Sequence, residues 1–325
     1  MIINEIVEDL TIYNTNIKEI IVTGSVSRDE ASVLQINGIP YILSDIDLFI
    51  IINRNCDNEI IKNRVEIIEK DIQNKYHTSP FFEISVATIH EDKLRKLSKN
   101  IRHYELFNSG EVVYSTSKEK TVNSMNYNSI DTVMLNRLLI ERLVKQYEFQ
   151  TSENEIIYKK IFAFRNILEI GTVICFTFNQ FVSGYEARNN TVVLLENELR
   201  EHITDDEFTN LIAWMSLSLE VKLSPTIKKI DIYSYEEIIE ALVQLYNLTY
   251  RVIKKVYKES NVFKYNIIES IGYLSFKDWL KLISKKTLFK DNESNLEDYF
   301  LIIQNSIING EKCDDVIKKY KDIKI

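Results

Sequence analysis

Cysteine is scarce in this chain of 325 residues, and the three that occur, Cys56, Cys175 and Cys313, lie far apart. They show no CxxC spacing, which argues against a disulfide framework and against a cysteine-ligated zinc site. The four histidines likewise show no metal-ligand spacing. GxSxG, Walker A, HExxH and RxxxxH motifs are also missing, so the hydrolases, P-loop enzymes, zinc proteases and nucleases that carry them are not indicated.

Positive charge is in deficit. The chain has 40 Lys and Arg against 48 Asp and Glu, a net charge of −8 and a pI of about 5.3. A protein that binds duplex nucleic acid without sequence preference needs a basic face. We therefore expect no duplex nucleic-acid partner, although a local basic cleft for a nucleotide is compatible with this balance.

Long apolar runs are missing as well. The most apolar stretch, residues 161–182, is interrupted by Arg165, Asn166 and Glu169, and its uninterrupted part after Glu169 is too short to span a bilayer. The first ten residues, MIINEIVEDL, carry acids rather than a basic leader. These features predict a soluble, cytoplasmic protein without a membrane partner.

Glycine is rare, with seven in the chain, and Gly24, Gly38 and Gly110 lie among strand-like segments of the first third. From about residue 128 onwards the apolar residues recur at helical spacing. The sequence therefore predicts an α+β protein, with a mixed-sheet domain over residues 1–118 and an all-helical domain over 119–325. The polar stretch 116–129 is the expected linker.

Within the first domain, alternating segments predict strands at 18–22, 32–36, 39–43, 46–52, 81–89 and 110–115, and a helix at 57–76. Asn37-Gly38 is a two-residue hairpin signal, because both positions of that turn require positive φ.

An acid pair stands at the head of an otherwise apolar strand, in the segment SDIDLFIII. Residues i and i+2 of a strand face the same side, so Asp45 and Asp47 project together and repel each other. A hard divalent cation such as Mg²⁺ removes that repulsion and prefers oxygen ligands. The alternative is that Asp45 caps a turn and Asp47 is exposed at the start of a strand.

Four further residues accompany the pair. Gly24-Ser25 ends a buried strand, where a glycine permits close backbone approach and a hydroxyl can hold a phosphate oxygen. Arg28 lies one turn further on and could add positive charge. Glu83 is the one acid of the strand-like segment FFEISVATI, which also suits an edge-strand glutamate facing solvent.

These elements occur as IIVTGSVSRDEA, SDIDLFII and FFEISV, and in this order they resemble the DNA polymerase β-like nucleotidyltransferase superfamily. The likeness covers about residues 15–115 and is greatest to the bacterial small-molecule branch that includes aminoglycoside adenylyltransferases. Two features depart from the family pattern. The gap between Gly24-Ser25 and Asp45 is long, which we assign to the hairpin, and the third acid is Glu where Asp is commoner.

The resemblance implies a nucleotidyltransferase fold whose Asp45, Asp47 and Glu83 converge on two Mg²⁺ ions. It also implies that Gly24, Ser25 and Arg28 bind the phosphates of an NTP, with ATP expected. A nucleoside monophosphate would then pass to a hydroxyl acceptor, preferably a small molecule or sugar, with release of pyrophosphate. A cyclic-oligonucleotide synthase and a catalytically silent nucleotide-binding or antitoxin-like protein remain alternatives.

The helical domain is expected to complete the nucleotide and acceptor cleft. In its segment 154–171, Tyr158, Lys159, Lys160 and Arg165 could reach a phosphate or base. The alternative is an apolar core stripe at helical spacing, with the lysines solvated on the opposite face.

Overall fold

A computed structural model describes residues 2–12, 16–54, 56–97, 101–117, 132–259, 301–309 and 312–323. Most of the predicted linker 116–129 and the part of the predicted helical domain over residues 260–300 lie outside these ranges. The elements up to residue 117 are α1 (Ile2–Ile12), β1 (Ile17–Thr23), α2 (Gly24–Ser27), β2 (Val33–Ile36), β3 (Ile39–Ile42), β4 (Ile46–Ile52), α3 (Asn58–Lys75), β5 (Ile84–His90), a 3-10 helix (Glu91–Lys96), α4 (Ile101–Ser109) and β6 (Glu111–Ser115).

The remaining described elements are helical. They are α5 (Thr132–Thr151), α6 (Ile156–Thr177), α7 (Tyr185–Leu194), α8 (Glu196–Arg200), α9 (Asp205–Leu223), α10 (Ile227–Ile230), α11 (Tyr235–Glu259), α12 (301–309) and α13 (Asp314–Ile323). The predicted α+β class, a mixed sheet with helices followed by a helical region, is confirmed. None of the described helices is long and apolar enough to cross a membrane.

The chain divides into two compact units. One contains Met1–Asn128 together with Glu220–Lys229, and the other contains Ser129–Leu219 and Ile230–Ile325. The sequence did not predict that Glu220–Lys229, which comes after a long helical stretch, would group with the sheet.

Four strands form the main sheet, in the order β5-β4-β1-β6. β4 runs antiparallel to β1, with Thr23 opposite Asp47, and parallel to β5, with Ile46 opposite Ile84. The end of β1 and the starts of β4 and β5 therefore meet at one edge of the sheet, which we call the acid edge. The predicted hairpin forms separately from β2 and β3, and Asn37 and Gly38 have the positive φ values of 53° and 81° that its turn needs.

Each face of the main sheet carries an apolar core. Strand residues such as Ile20 and Ile50 pack with the buried stripes of α1 and α3 on one face. On the other face, Phe49 and Ile51 pack with Leu106 of α4 and with the 3-10 helix. This two-sided burial explains why β4 is almost wholly apolar after its first residues.

One strand starts later than predicted. The segment 81–89 was expected to be a strand with Glu83 inside it, but β5 begins at Ile84. Phe82 forms a turn with Ser79 by donating its N–H to the Ser79 carbonyl at 3.0 Å. Glu83 therefore precedes the strand and is exposed to solvent.

A buried ionic network lies in the helical unit. Glu169 accepts from Arg142 Nη2 at 2.8 Å, from the Tyr185 hydroxyl at 3.1 Å and from Thr172 Oγ1 at 3.1 Å. Burial acts to raise the pKa of Glu169, but Arg142 and Arg188 together with these hydrogen bonds outweigh it and hold the pKa below its ordinary value. The lowered pKa of Glu169 stabilises the folded protein at any pH above the ordinary pKa of a glutamate. This stabilisation is lost as the pH falls through the lowered pKa of Glu169.

The basic residues of α6 take part in structural contacts. Lys159 Nζ donates to the carbonyls of Gln150 and Ser152 at 2.7 Å, and Lys160 pairs with Asp231 at 2.8 Å. Lys160 is buried, so the alternative in which both lysines are solvated does not hold for Lys160. The apolar core stripe of this helix is present.

We predict that Ile50→Ala, at a fully buried position, lowers the free energy of unfolding by about 2–5 kcal/mol, because it leaves a cavity between two packed layers. Ile67→Ala is the matched control, since that side chain is 48% exposed, and it should cost less than about 1 kcal/mol. Chemical denaturation followed by circular dichroism measures both. Equal losses would contradict the burial described for β4.

Candidate active site

The acid pair lies at the start of β4. Asp45 and Asp47 are half-buried, whereas Ile46 between them is buried in the core on the α1 and α3 side. Phe49, two residues after Asp47, belongs to the core on the α4 side. Because alternate residues of a strand face opposite sides, Asp47 lies on the α4 side of the sheet, whereas Asp45 is the residue just before the strand.

The turn at Gly24 is fitted to Asp47. Gly24 has a φ of +73°, and a Cβ added to it would lie 2.4 Å from Asp47 Oδ2. Only a residue without a side chain allows the carboxylate to lie against the backbone at this point. Ser25, the next residue, is buried, and its carbonyl accepts a hydrogen bond from the Glu30 N–H at 2.8 Å.

Glu83 comes to the same edge through the parallel pairing of β4 and β5. The Ile46 N–H donates to the Glu83 carbonyl at 2.9 Å, and Ile46 is opposite Ile84. Asp45 therefore lies one residue before Ile46 on β4, and Glu83 lies one residue before its partner Ile84 on the adjacent strand β5. The Glu83 carboxylate is exposed and has no hydrogen bond or ion pair with any residue that the structure describes.

These three acids do not form a ready metal site. Among the residues described, no group of three or more His, Cys, Asp or Glu side chains is arranged to hold a metal ion. The structure brings Asp45, Asp47 and Glu83 to one edge of the sheet, and their convergence on a shared cation stays a prediction.

Arg28 has surroundings that the sequence did not indicate. Its guanidinium pairs with Glu30 at 3.0 Å and with Glu105 of α4 at 2.6 Å. All three side chains are nearly buried. The contact of Arg28 with phosphate stays a prediction, and in this structure its guanidinium pairs with two carboxylates of the protein.

Sequence reasoning missed Lys222, which belongs to the same unit as the sheet. Lys222 is buried, and its Nζ donates to Ser44 Oγ at 2.9 Å, beside Asp45 in the chain. Ser32 completes a closed ring, because its N–H donates to Ser44 Oγ at 2.8 Å and its hydroxyl donates to the Lys222 carbonyl at 2.5 Å. A lysine at the end of an apolar helix carries no sequence signal for this position.

Two side chains of α4 also lie near the acid edge. The ring of His103 lies 6.1 Å from that of Phe49, centroid to centroid, which suits a structural role for this histidine. Arg102 is exposed, and its Nη2 lies 3.4 Å from Ser85 Oγ on β5. Ser85 is the residue opposite Asp47.

No protein-family model matches the chain, and a comparison with curated proteins gave no match. Among solved structures, it is similar to spectinomycin adenyltransferase AAD(9) from Enterococcus faecialis, crystallised with ATP and spectinomycin. The match covers 76% of this chain and 98% of the other, with 11% identity and a TM-score of 0.47. A likeness of this size carries no argument about the activity or the substrate of this chain.

We predict that Gly24→Ala disturbs the site beyond the cost of its backbone conformation. Gly38→Ala is the matched control, because Gly38 has a φ of +81° but nothing within 4 Å of an added Cβ. Both variants should lose about 1–2 kcal/mol of folding free energy to backbone strain. Gly24→Ala should lose more than about 1 kcal/mol beyond that, because the methyl group displaces the Asp47 carboxylate.

Thermal and chemical denaturation of the two variants measures the difference. Equal losses would mean that the Asp47 carboxylate moves away from Gly24 without cost, and would contradict the close contact between these two residues.

Proposed function

We propose that this protein is a Mg²⁺-dependent nucleotidyltransferase that transfers a nucleoside monophosphate from an NTP, with ATP expected, to a hydroxyl acceptor. The observation that carries the proposal is the fit of the Asp47 carboxylate to Gly24 at an edge that also holds Asp45 and Glu83. The glycine that the turn needs for its φ of +73° also leaves room for one of the carboxylates, which brings the acid pair against the turn.

The donor set suits Mg²⁺. Asp45 and Asp47 would supply oxygen ligands, and this ion commonly takes one or two carboxylates and completes its shell with water and phosphate oxygens. Glu83 is available as a third ligand, since its carboxylate is exposed at the same edge. When bound, Mg²⁺ neutralises the carboxylates and the phosphates and polarises the phosphoryl oxygens.

The side chains of this edge would divide the remaining work. Backbone and hydroxyl donors at Gly24 and Ser25 would bind the β- and γ-phosphates, and Glu83 would accept the proton of the acceptor hydroxyl. A bond forms between the acceptor oxygen and the α-phosphorus, and the bond from that phosphorus to the bridging oxygen breaks. Pyrophosphate leaves with the electron pair.

A small molecule or sugar is the acceptor that we propose. The net charge of −8 does not favour a nucleic-acid acceptor. A second candidate, nucleotide binding without transfer, draws support from the missing three-carboxylate group among the described residues. The two differ in whether pyrophosphate is released.

We predict that Asp47→Asn lowers pyrophosphate release by at least about 100-fold while the circular dichroism spectrum is unchanged, because one metal ligand loses its charge. Asp92→Asn is the matched control, since Asp92 is exposed and pairs with Arg54 away from the acid pair. The assay measures pyrophosphate from each of the four NTPs with Mg²⁺ or EDTA, with and without a panel of aminoglycosides and sugars.

Each result of this assay has a definite reading. Full release by Asp47→Asn would remove Asp47 from the metal role and contradict the proposal. A cyclic product formed from NTP alone would move the acceptor class from small molecules to nucleotides. Metal-dependent NTP binding by the wild type without any release would establish the second candidate instead.

A further inference from the structure

The geometry points to Arg28 as a positioning residue, which fixes the Gly24-Ser25 turn and helix α4 through Glu30 and Glu105 without touching the substrate. This inference rests on the proposed function, because it concerns how the phosphate-binding turn is held in place. It replaces the direct phosphate contact that the sequence suggested for Arg28.

The guanidinium bridges two separate segments. Arg28 Nε lies 3.0 Å from Glu30 Oε2, and Arg28 Nη1 lies 2.6 Å from Glu105 Oε2. The side chains of Arg28, Glu30 and Glu105 are only 11%, 8% and 12% exposed. A cation at this depth that already faces two carboxylates is bound in the protein's own structure, which leaves it poorly placed to receive a phosphate.

One arm of the bridge leads to the turn. The Glu30 side chain is held by Arg28, while the Glu30 N–H donates to the Ser25 carbonyl at 2.8 Å. Within the turn, Ser27 Oγ donates to the Gly24 carbonyl at 3.1 Å. The peptide groups that would meet the phosphates are therefore fixed by Glu30, which is itself fixed by Arg28.

The other arm leads to α4. Ser109 Oγ donates to the same Glu105 Oε2 at 2.8 Å, which holds this carboxylate towards Arg28. α4 packs Leu106 into the core beside Phe49, on the side of the sheet that carries Asp47. Arg28 therefore joins the turn to the helix that flanks the acid edge.

The bridge needs arginine in particular. A guanidinium presents donors in a fixed planar fork, so its Nε and Nη1 can serve two carboxylates at the same time. A lysine has the same charge, but its ammonium is a single point that cannot reproduce both contacts in this geometry. Arg28→Lys therefore tests the fork while it keeps the charge among the two buried acids.

The experiment compares Arg28→Lys with Arg54→Lys. Arg54 is the matched control, because it also pairs through Nε with an acid, Asp92, but is 76% exposed. Amide hydrogen exchange is followed by mass spectrometry for residues 24–30 and 101–109, without nucleotide. In Arg28→Lys, exchange in both segments should rise about tenfold, and in Arg54→Lys it should not change.

Kinetics with Mg²⁺ and ATP supply the second readout. Arg28→Lys should raise the KM for ATP, because a loosened turn binds the phosphates less well. The same variant should show both the higher KM and the faster exchange in residues 24–30. Loss of ATP affinity with unchanged exchange would mean that Arg28 contacts the phosphates itself, which would overturn the inference. Unchanged exchange and unchanged kinetics would overturn it as well.

Glu105→Gln provides a variant that is less disruptive should Arg28→Lys fold poorly. It keeps the shape of the side chain but removes the charge that Arg28 and Ser109 Oγ contact, so exchange should rise in residues 101–109. The double variant should show no more exchange there than Arg28→Lys alone, because both changes break one bridge. If the two changes raised exchange in residues 101–109 additively, Arg28 and Glu105 would not act through one shared contact, which would contradict the bridge. The exchange results stand without any catalytic assay, so a failure of the proposed function is distinguishable from a failure of this inference.

Discussion

The pairing of β1 with β4 is the constraint on which the candidate site depends. It places Thr23 opposite Asp47, so the chain must turn at Gly24 directly beside a carboxylate. The contact is possible only because Gly24 lacks a side chain and adopts a φ of +73°. A slip by one residue would turn Asp47 towards the core that α1 and α3 cover, where an unpaired charge is costly, and this favours the observed register.

Around that contact, buried charges are satisfied by the protein itself. Arg28 is bridged to Glu30 and Glu105, and the Lys222 ammonium donates to Ser44. Buried ionic groups are costly unless they are paired and hydrogen-bonded, so such contacts restrict the geometry of the segments that carry them. The turn at Gly24, the start of β4 and α4 are each joined to at least one of them, which favours a site that is rigid before any ligand binds.

The same physical rule accounts for the basic residues of α6, for which the sequence left two interpretations open. Lysine and arginine on a helix read as candidates for phosphate binding, yet Lys159 caps backbone carbonyls and Lys160 pairs with Asp231. Inside the helical unit, Glu169 forms an ion pair with Arg142, and the positive charge of Arg188 also lowers its pKa. Helical spacing tells which face is apolar, but it does not tell whether a polar face meets solvent, a neighbouring helix or a ligand.

The sequence by itself determined the α+β order and the hairpin at Asn37-Gly38, because periodicity and turn chemistry are local. Only the tertiary structure decided that β5 starts after Glu83, that Arg28 faces two acids and that Lys222 lies beside the hairpin. These features depend on contacts between residues far apart in the chain, and no local pattern records which distant partner a charged side chain will meet.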